Sequence, residues 1–175
     1  YSQIELRMFA HMAKVEELIE AFNNNKDIHT KTAMDIFGVT EENVTPNMRR
    51  QAKAVNFGIL YGISSYGLSE DLKITPKEAK DFIEKYFETY PGIKDYMNEV
   101  IKKAHEEGYV KTIMNRKRII DELHNTNYMV RSMGERMALN TPIQGSSADI
   151  LKKSMIEIQK EFENAGIPIT INNDN

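Results

Sequence analysis

Arg49, Lys53, Phe57 and Tyr61 recur every four residues within Arg49-Arg50-Gln51-Ala52-Lys53-Ala54-Val55-Asn56-Phe57-Gly58-Ile59-Leu60-Tyr61-Gly62. Each step of four turns an α-helix by about 400°, so the set drifts only about 40° per step and forms one slanting stripe roughly 18 Å long. Cations occupy one end and aromatic rings the other. That order matches a nucleoside triphosphate, with charge-assisted hydrogen bonds for the phosphate tail and flat faces for base and sugar. The competing interpretation is an amphipathic helix whose basic edge is hydrated and whose aromatics pack inside. Gly58 favours the first interpretation, because glycine costs about 1 kcal/mol relative to alanine in a helix interior and makes sense where something approaches the backbone closely.

A second series, Arg136, Asn140 and Gln144, also steps by four. It gives a polar helix face suited to sugar edges and to the minor-groove acceptors that all base pairs share. Contacts of that kind recognise duplex shape without reading sequence. A hydrated helix edge is the alternative.

Composition limits what can carry these groups. The chain has 175 residues, 41% hydrophobic and 28% charged, enough for one domain or a pair of subdomains with a real core. Only 9 glycines and 5 prolines occur, and no low-complexity tract suggests long disorder. No apolar run reaches the roughly 18 residues of a membrane span, and no signal-peptide pattern opens the chain, so an intracellular location is expected. Cysteine is absent, which excludes disulfides and thiolate metal sites. The formal net charge of -3 argues on average against a nucleic-acid partner, yet the cations cluster. Arg49, Arg50 and Lys53 form one group, Lys111, Arg116, Lys117 and Arg118 another, and Lys152 with Lys153 a third, while acids gather over 16–20 and 157–163. Local fields rather than net charge select the partner. A start at Tyr1 rather than methionine suggests a processed or excised chain.

The elements that must position these residues are mostly helical. Apolar spacing predicts a helix from Tyr1 to about Phe22 and a shorter one from about Ile28 to Phe37, ended by Gly38. Thr45-Pro46 starts the helix of the basic and aromatic stripe, which runs over 46–62. Thr75 with Glu78 reads as a capping box opening a helix to Tyr90, and Pro91 opens another to about Glu107, ended by Gly108. Tyr109 to Met114 and Lys117 to Ile120 predict a small hairpin around Asn115-Arg116. Two further helices are expected, Tyr128 to Asn140 and Ile143 to Ala165, separated near Pro142, followed by a strand over Ile167 to Ile171. Met12, Met133, Met137, Phe82, Tyr86 and Phe87 are expected in the core. The fold class is α+β and predominantly helical, with a small amount of antiparallel sheet.

The stripe segment resembles motif B, the fingers helix of family A (polymerase I-like) DNA polymerases. Tyr1-Ser2-Gln3-Ile4-Glu5-Leu6-Arg7 resembles their motif A, and Asp27-Ile28-His29 the segment that adds a histidine to the phosphate site. Arg136, Asn140 and Thr141-Pro142-Ile143-Gln144-Gly145 resemble the helix that contacts the primer-template duplex. The likeness extends to about Ala165. It implies fingers helices over 23–127 inserted between palm segments over 1–22 and 128–175, with primer-template DNA and deoxynucleoside triphosphates as partners.

By this resemblance Arg49, Lys53 and His29 hold the incoming triphosphate, and Arg49, Lys53 and Tyr61 serve phosphoryl transfer. Gln3, Ile4, Glu5, Phe57 and Tyr61 complete the nucleotide site, with Glu5 blocking a ribose 2′-hydroxyl and Phe57 implying poor acceptance of substrates lacking the 3′-hydroxyl. Gly62, Arg136, Asn140 and Gln144 would touch DNA. The family uses two Mg²⁺ ions held by two aspartates. The first aspartate would precede Tyr1, leaving the Tyr1 backbone carbonyl as a metal contact, and Asp174 within Asn172-Asn173-Asp174-Asn175 is the candidate for the second. The expectation is therefore a polymerase fragment that needs the missing parts of its parent and lacks activity alone. A non-catalytic helical module that binds nucleotide or DNA is the alternative, and a plain helical scaffold is a third.

Overall fold

Asp27 accepts hydrogen bonds from the backbone N–H groups of His29 and Thr30, both at 2.9 Å, and so opens α3 (Ile28–Phe37). Thr45 Oγ1 accepts from Met48 N–H at 3.2 Å with Pro46 in the first turn of α4 (Pro46–Leu60). A reciprocal capping box joins Thr75 and Glu78 at the start of α6 (Pro76–Thr89). Pro91 begins α7 (Pro91–Glu107), which Gly108 ends. The hairpin also forms: β1 (Tyr109–Lys111) pairs antiparallel with β2 (Lys117–Ile119), placing Val110 opposite Arg118. These elements belong to a computed structural model that describes residues 2–167, within which there are eight α-helices and one two-stranded sheet. The fold is α+β and predominantly helical.

Four expectations need correction. The single helix expected to Phe22 is two, α1 (Ser2–Met12) and α2 (Glu16–Asn23). Lys14 takes a left-handed φ of 54°, while Val15 N–H bonds to Ala10 O at 3.1 Å and Val15 becomes buried. Burial of Val15 and of the α2 face against α1 outweighs the roughly 1–2 kcal/mol strain of left-handed lysine. An unforeseen helix, α5 (Ser65–Leu72), is capped by Ser64, whose Oγ accepts from Gly67 N–H at 3.1 Å. No element is expected there, and burial of Leu68 and Leu72 holds the segment as helix. Pro142 does not divide the last helix. Instead α8 (Tyr128–Asn164) runs through it, with Pro142 buried among Ala138, Leu139, Ile143 and Ser146. Packing against α1, α7 and β1 offsets the lost N–H donor. Finally, Met133 is 50% exposed and not core, whereas Met137 packs against the smaller core and Tyr86 is fully buried.

Helices α1 to α7 share the larger core, built around Phe9, Phe22, Ile36, Ile59, Leu68 and Tyr86. The smaller one joins α7, the hairpin and α8 through Ala104, Val110, Ile120, Leu123 and Ala138. Polar bonds lock the hairpin to α8. Arg116 pairs with Asp149 at 2.9 Å, Ile113 N–H donates to Ser146 Oγ at 2.9 Å, and Arg118 donates to Thr141 Oγ1 at 3.1 Å. Beyond Ile150 the described part of α8 is exposed along its length. No described helix is long and apolar enough to cross a membrane. The strand expected over 167–171 lies, from 168 onward, outside the described residues.

The exit of α4 explains Gly58. Ile63 N–H bonds to Gly58 O at 2.8 Å and Gly62 N–H to Ile59 O at 3.1 Å, with Gly62 at φ 65°, which is a Schellman turn. The Ile63 side chain therefore folds back over Gly58, where an added Cβ would meet Ile63 Cγ2 at 2.5 Å. What approaches the backbone of Gly58 is the chain's own isoleucine. Gly58→Ala is expected to lower stability by about 1 kcal/mol or more, since overpacking exceeds the gain in helix propensity. Urea unfolding checks this, and a more stable variant would contradict the packing argument.

Candidate functional site

Helix α4 buries Ala52, Val55, Asn56, Ile59 and Leu60 on its inner side. That leaves Arg49, Lys53, Phe57 and Tyr61 along its outer edge, with both cations exposed, Phe57 half-buried and Tyr61 38% exposed. The Phe57 and Tyr61 rings lie nearly parallel, 16° apart with centroids 6.2 Å apart. They make an aromatic platform at one end, and the cations continue the same edge. The stripe expected from the spacing is present as one surface.

Neighbouring helices complete it. Tyr61 donates its hydroxyl to Glu5 Oε2 at 2.5 Å, joining α1 to α4. Burial, then the hydrogen bond and charge of Glu5, push the Tyr61 phenol up to about 12, so it stays a neutral donor. Gln3 is exposed and Ile4 half-buried on α1 beside Glu5. From α3, the His29 ring packs on Phe57 with centroids 5.7 Å apart. His29 is only 8% exposed, against the surface position that a lone histidine suggests. Burial first, with Arg49 and Lys53 nearby and only Asp27 opposing, lowers its pKa and favours the neutral ring.

Arg49 donates to Asp27 Oδ2 through Nη2 at 2.6 Å and Nε at 3.2 Å. Burial would raise the Asp27 carboxyl, but the Arg49 hydrogen bond and charge with the backbone donors Thr30 and His29 hold it below the ordinary carboxylate value. Asp27 thus both caps α3 and orients the guanidinium.

On the other flank an open cleft of about 660 Å³ is lined by Lys53, Phe57, Tyr61, Gly62, Asp71 and Arg136, among others. Arg136 sits close to Gly62, where an added Cβ would meet Arg136 Cγ at 3.4 Å. Because α8 is continuous through Pro142, Arg136, Asn140 and Gln144 remain on one slanting face. Arg136 and Gln144 are exposed, and Asn140 Oδ1 is sealed from solvent without a protein partner among the described residues.

The two expected metal contacts, Tyr1 and Asp174, lie outside the described residues. Among those described, no three His, Cys, Asp or Glu side chains gather as a metal site. The described donors therefore do not fit Mg²⁺ by themselves. Thr32 and Asn56 escaped sequence reasoning, and Asp27 had no role there beyond marking the His29 segment. The available signal was Asn56, an asparagine on the apolar side of a helix, where it must find internal partners.

The sequence matches DNA polymerase family A across residues 1–172. It is 60% identical over 163 residues to DNA polymerase I of Bacillus caldotenax, covering 93% of this chain and 19% of that protein. The DNA polymerase I of Bacillus subtilis (strain 168) is likewise 60% identical over 163 residues, covering 93% of this chain and 18% of that protein. Among solved structures, the POL domain of Pol1 from M. smegmatis, in complex with DNA primer-template and dNTP, superposes with a TM-score of 0.90 at 45% identity. That alignment covers 95% of this chain and 29% of the other. The chain spans about a fifth of the length of these curated relatives. Matched across nearly its whole sequence and superposed along the same span, the chain belongs to DNA polymerase family A.

Proposed function

We propose that this chain supplies the nucleotide-binding helix and part of the duplex-binding surface of a DNA polymerase that adds deoxynucleotides to a primer 3′ end. Residues 23–127 form its fingers, and 1–22 with 128–175 form parts of its palm. The observation that carries this reading is the α4 edge, where the Arg49 and Lys53 cations lead to the stacked Phe57 and Tyr61 rings. Bound there, a deoxynucleoside triphosphate lays its phosphates along Arg49, Lys53 and His29 and its sugar and base against the rings.

Each group has a definite task. Lys53 acts as a point charge and Arg49 as a planar fork, and both offset negative charge that shifts during phosphoryl transfer. Tyr61 and Glu5, already bonded to each other, form a wall beside the sugar, and Glu5 opposes a 2′-hydroxyl. Gly62, Arg136, Asn140 and Gln144 meet the duplex, with Arg136 and Gln144 exposed and Asn140 half-buried on the same helix face. Mg²⁺ is the expected cofactor of the complete enzyme. The described donor set does not by itself hold it.

The test is titration of the chain with deoxyadenosine triphosphate and with deoxyadenosine. Triphosphate affinity is expected to exceed nucleoside affinity by at least tenfold, and Lys53→Ala to remove about tenfold of it, the scale of one charge-assisted hydrogen bond. Equal affinity of wild type and variant would remove the phosphate role from Lys53.

A further inference from the structure

We propose that Asn56 is a positioning residue that fixes His29 as its Nε2–H tautomer, so that the ring presents a hydrogen-bond donor to a phosphate of the bound triphosphate. The inference rests on the nucleotide reading above. Asn56 lies on the inner side of α4 and is 1% exposed, so its amide must be satisfied inside the protein. Two partners from α3 surround it. Its Nδ2 is 3.2 Å from His29 Nδ1 and 3.0 Å from Thr32 Oγ1.

The proton count follows from Thr32. Its hydroxyl donates to Ile28 O at 2.8 Å, which leaves Thr32 Oγ1 to accept from Asn56. The Asn56 amide then has one hydrogen for Thr32 and one for His29 Nδ1. With the Thr32 hydrogen spent on Ile28 O, Asn56 Oδ1, 3.2 Å from Thr32 Oγ1, is left without a donor, whereas turning the amide over would leave one of its N–H groups buried without an acceptor, the rarer and costlier orphan. His29 Nδ1 is therefore the acceptor, and the ring proton resides on Nε2. Nε2 has no protein partner among the described residues and is not one of the sealed, unsatisfied atoms. The charged groups facing the ring are Asp27 from the start of α3 and Arg49 and Lys53 from α4, and the ring packs at a tilt of 49° against Phe57. Beside two cations, a neutral N–H donor adds a directed hydrogen bond to an anion without adding a third competing charge. Protonation at Nδ1 would place two donors against each other, which adds to the effect of burial in keeping the ring neutral.

Histidine-labelled chain, studied by two-bond nitrogen–proton NMR without nucleotide, reads the tautomer directly. The expected result is His29 protonated on Nε2 alone. Asn56→Leu keeps the volume and removes the donor, so it should yield a mixture of tautomers and weaken deoxyadenosine triphosphate binding about three- to tenfold. In a His29→Gln background the same change should leave affinity as it is. A wild-type ring protonated on Nδ1 overturns the proposal, as does an Asn56→Leu loss of equal size in both backgrounds. If Asn56→Leu fails to fold, Thr32→Val removes the acceptor that orients the amide and should raise the minor tautomer; an unchanged ratio counts against the assignment. The spectrum is recorded on the free chain, so a wrong tautomer leaves the nucleotide site standing. A triphosphate affinity indifferent to both Lys53 and His29 would instead sink the site while the tautomer is still read.

Discussion

Tyr86→Ala is expected to remove about 3–5 kcal/mol of folding stability, the usual effect of deleting a buried aromatic side chain. Tyr86 is 1% exposed in the last turn of α6. Its ring meets Tyr90 edge-on at 5.1 Å and Phe87 at 6.1 Å, and such pairs add about 0.5–1.5 kcal/mol each beyond their burial. The loss would spread to the site, because α6 packs on both α3 and α4. Tyr90 next to it donates to Asp35 Oδ2 of α3 at 2.5 Å, and Asp35 also pairs with Lys31. A domain with 5–15 kcal/mol of total stability should then unfold at a much lower urea concentration. A loss below about 1.5 kcal/mol would mean that α6 supports α3 and α4 less than its packing implies.

Gly134→Val should cost at least about 2–3 kcal/mol by overpacking. Gly134 faces the 3-10 turn Asp121–His124, and a Cβ there would lie 3.0 Å from Leu123 N, 3.0 Å from Glu122 Cβ and 3.1 Å from Glu122 C. Two of these atoms are backbone and none is the end of a flexible chain. The turn must move or α8 must move, and Ile120 and Leu123, both fully buried in the smaller core, move with it. The same shift would carry Arg136, two residues along the helix, off its position beside Gly62. Thermal or urea unfolding measures the effect, and Gly134→Ala should show the same sign at smaller size. A neutral Gly134→Val would show that α8 does not seat on this turn as tightly as the distances require.

These two sites also show why parts of the fold are legible in sequence and others are not. Thr45-Pro46, Thr75 with Glu78, and Gly38 act through neighbouring backbone, so α3, α4 and α6 begin and end close to where their residues place them. Asn115, at φ 61°, does the same for the hairpin. The left-handed turn at Lys14, the helix α5 and the passage of α8 through Pro142 depend instead on what packs against them. No local pattern reports that Val15 will be buried or that Pro142 will sit between α1 and β1.

The candidate site divides along the same line. Four-residue spacing was enough to place Arg49, Lys53, Phe57 and Tyr61 on one edge, and to align Arg136, Asn140 and Gln144 on another. Partnerships across helices were not visible: Glu5 with Tyr61, Asp27 with Arg49, and Asn56 between His29 and Thr32 join residues 22 to 56 positions apart. Gly58 marks a close approach, but the approaching group is Ile63 rather than a ligand, so the glycine does not favour the nucleotide interpretation. Tyr1 and Asp174 remain expectations beyond the described residues.

The most direct test of the α4 edge is NMR mapping of deoxyadenosine triphosphate on the labelled chain. Saturable shifts should run from the Arg49 and Lys53 signals to the Phe57 and Tyr61 rings, include His29, and diminish in Lys53→Ala. Shifts confined to other helices, or none that saturate, would contradict the account.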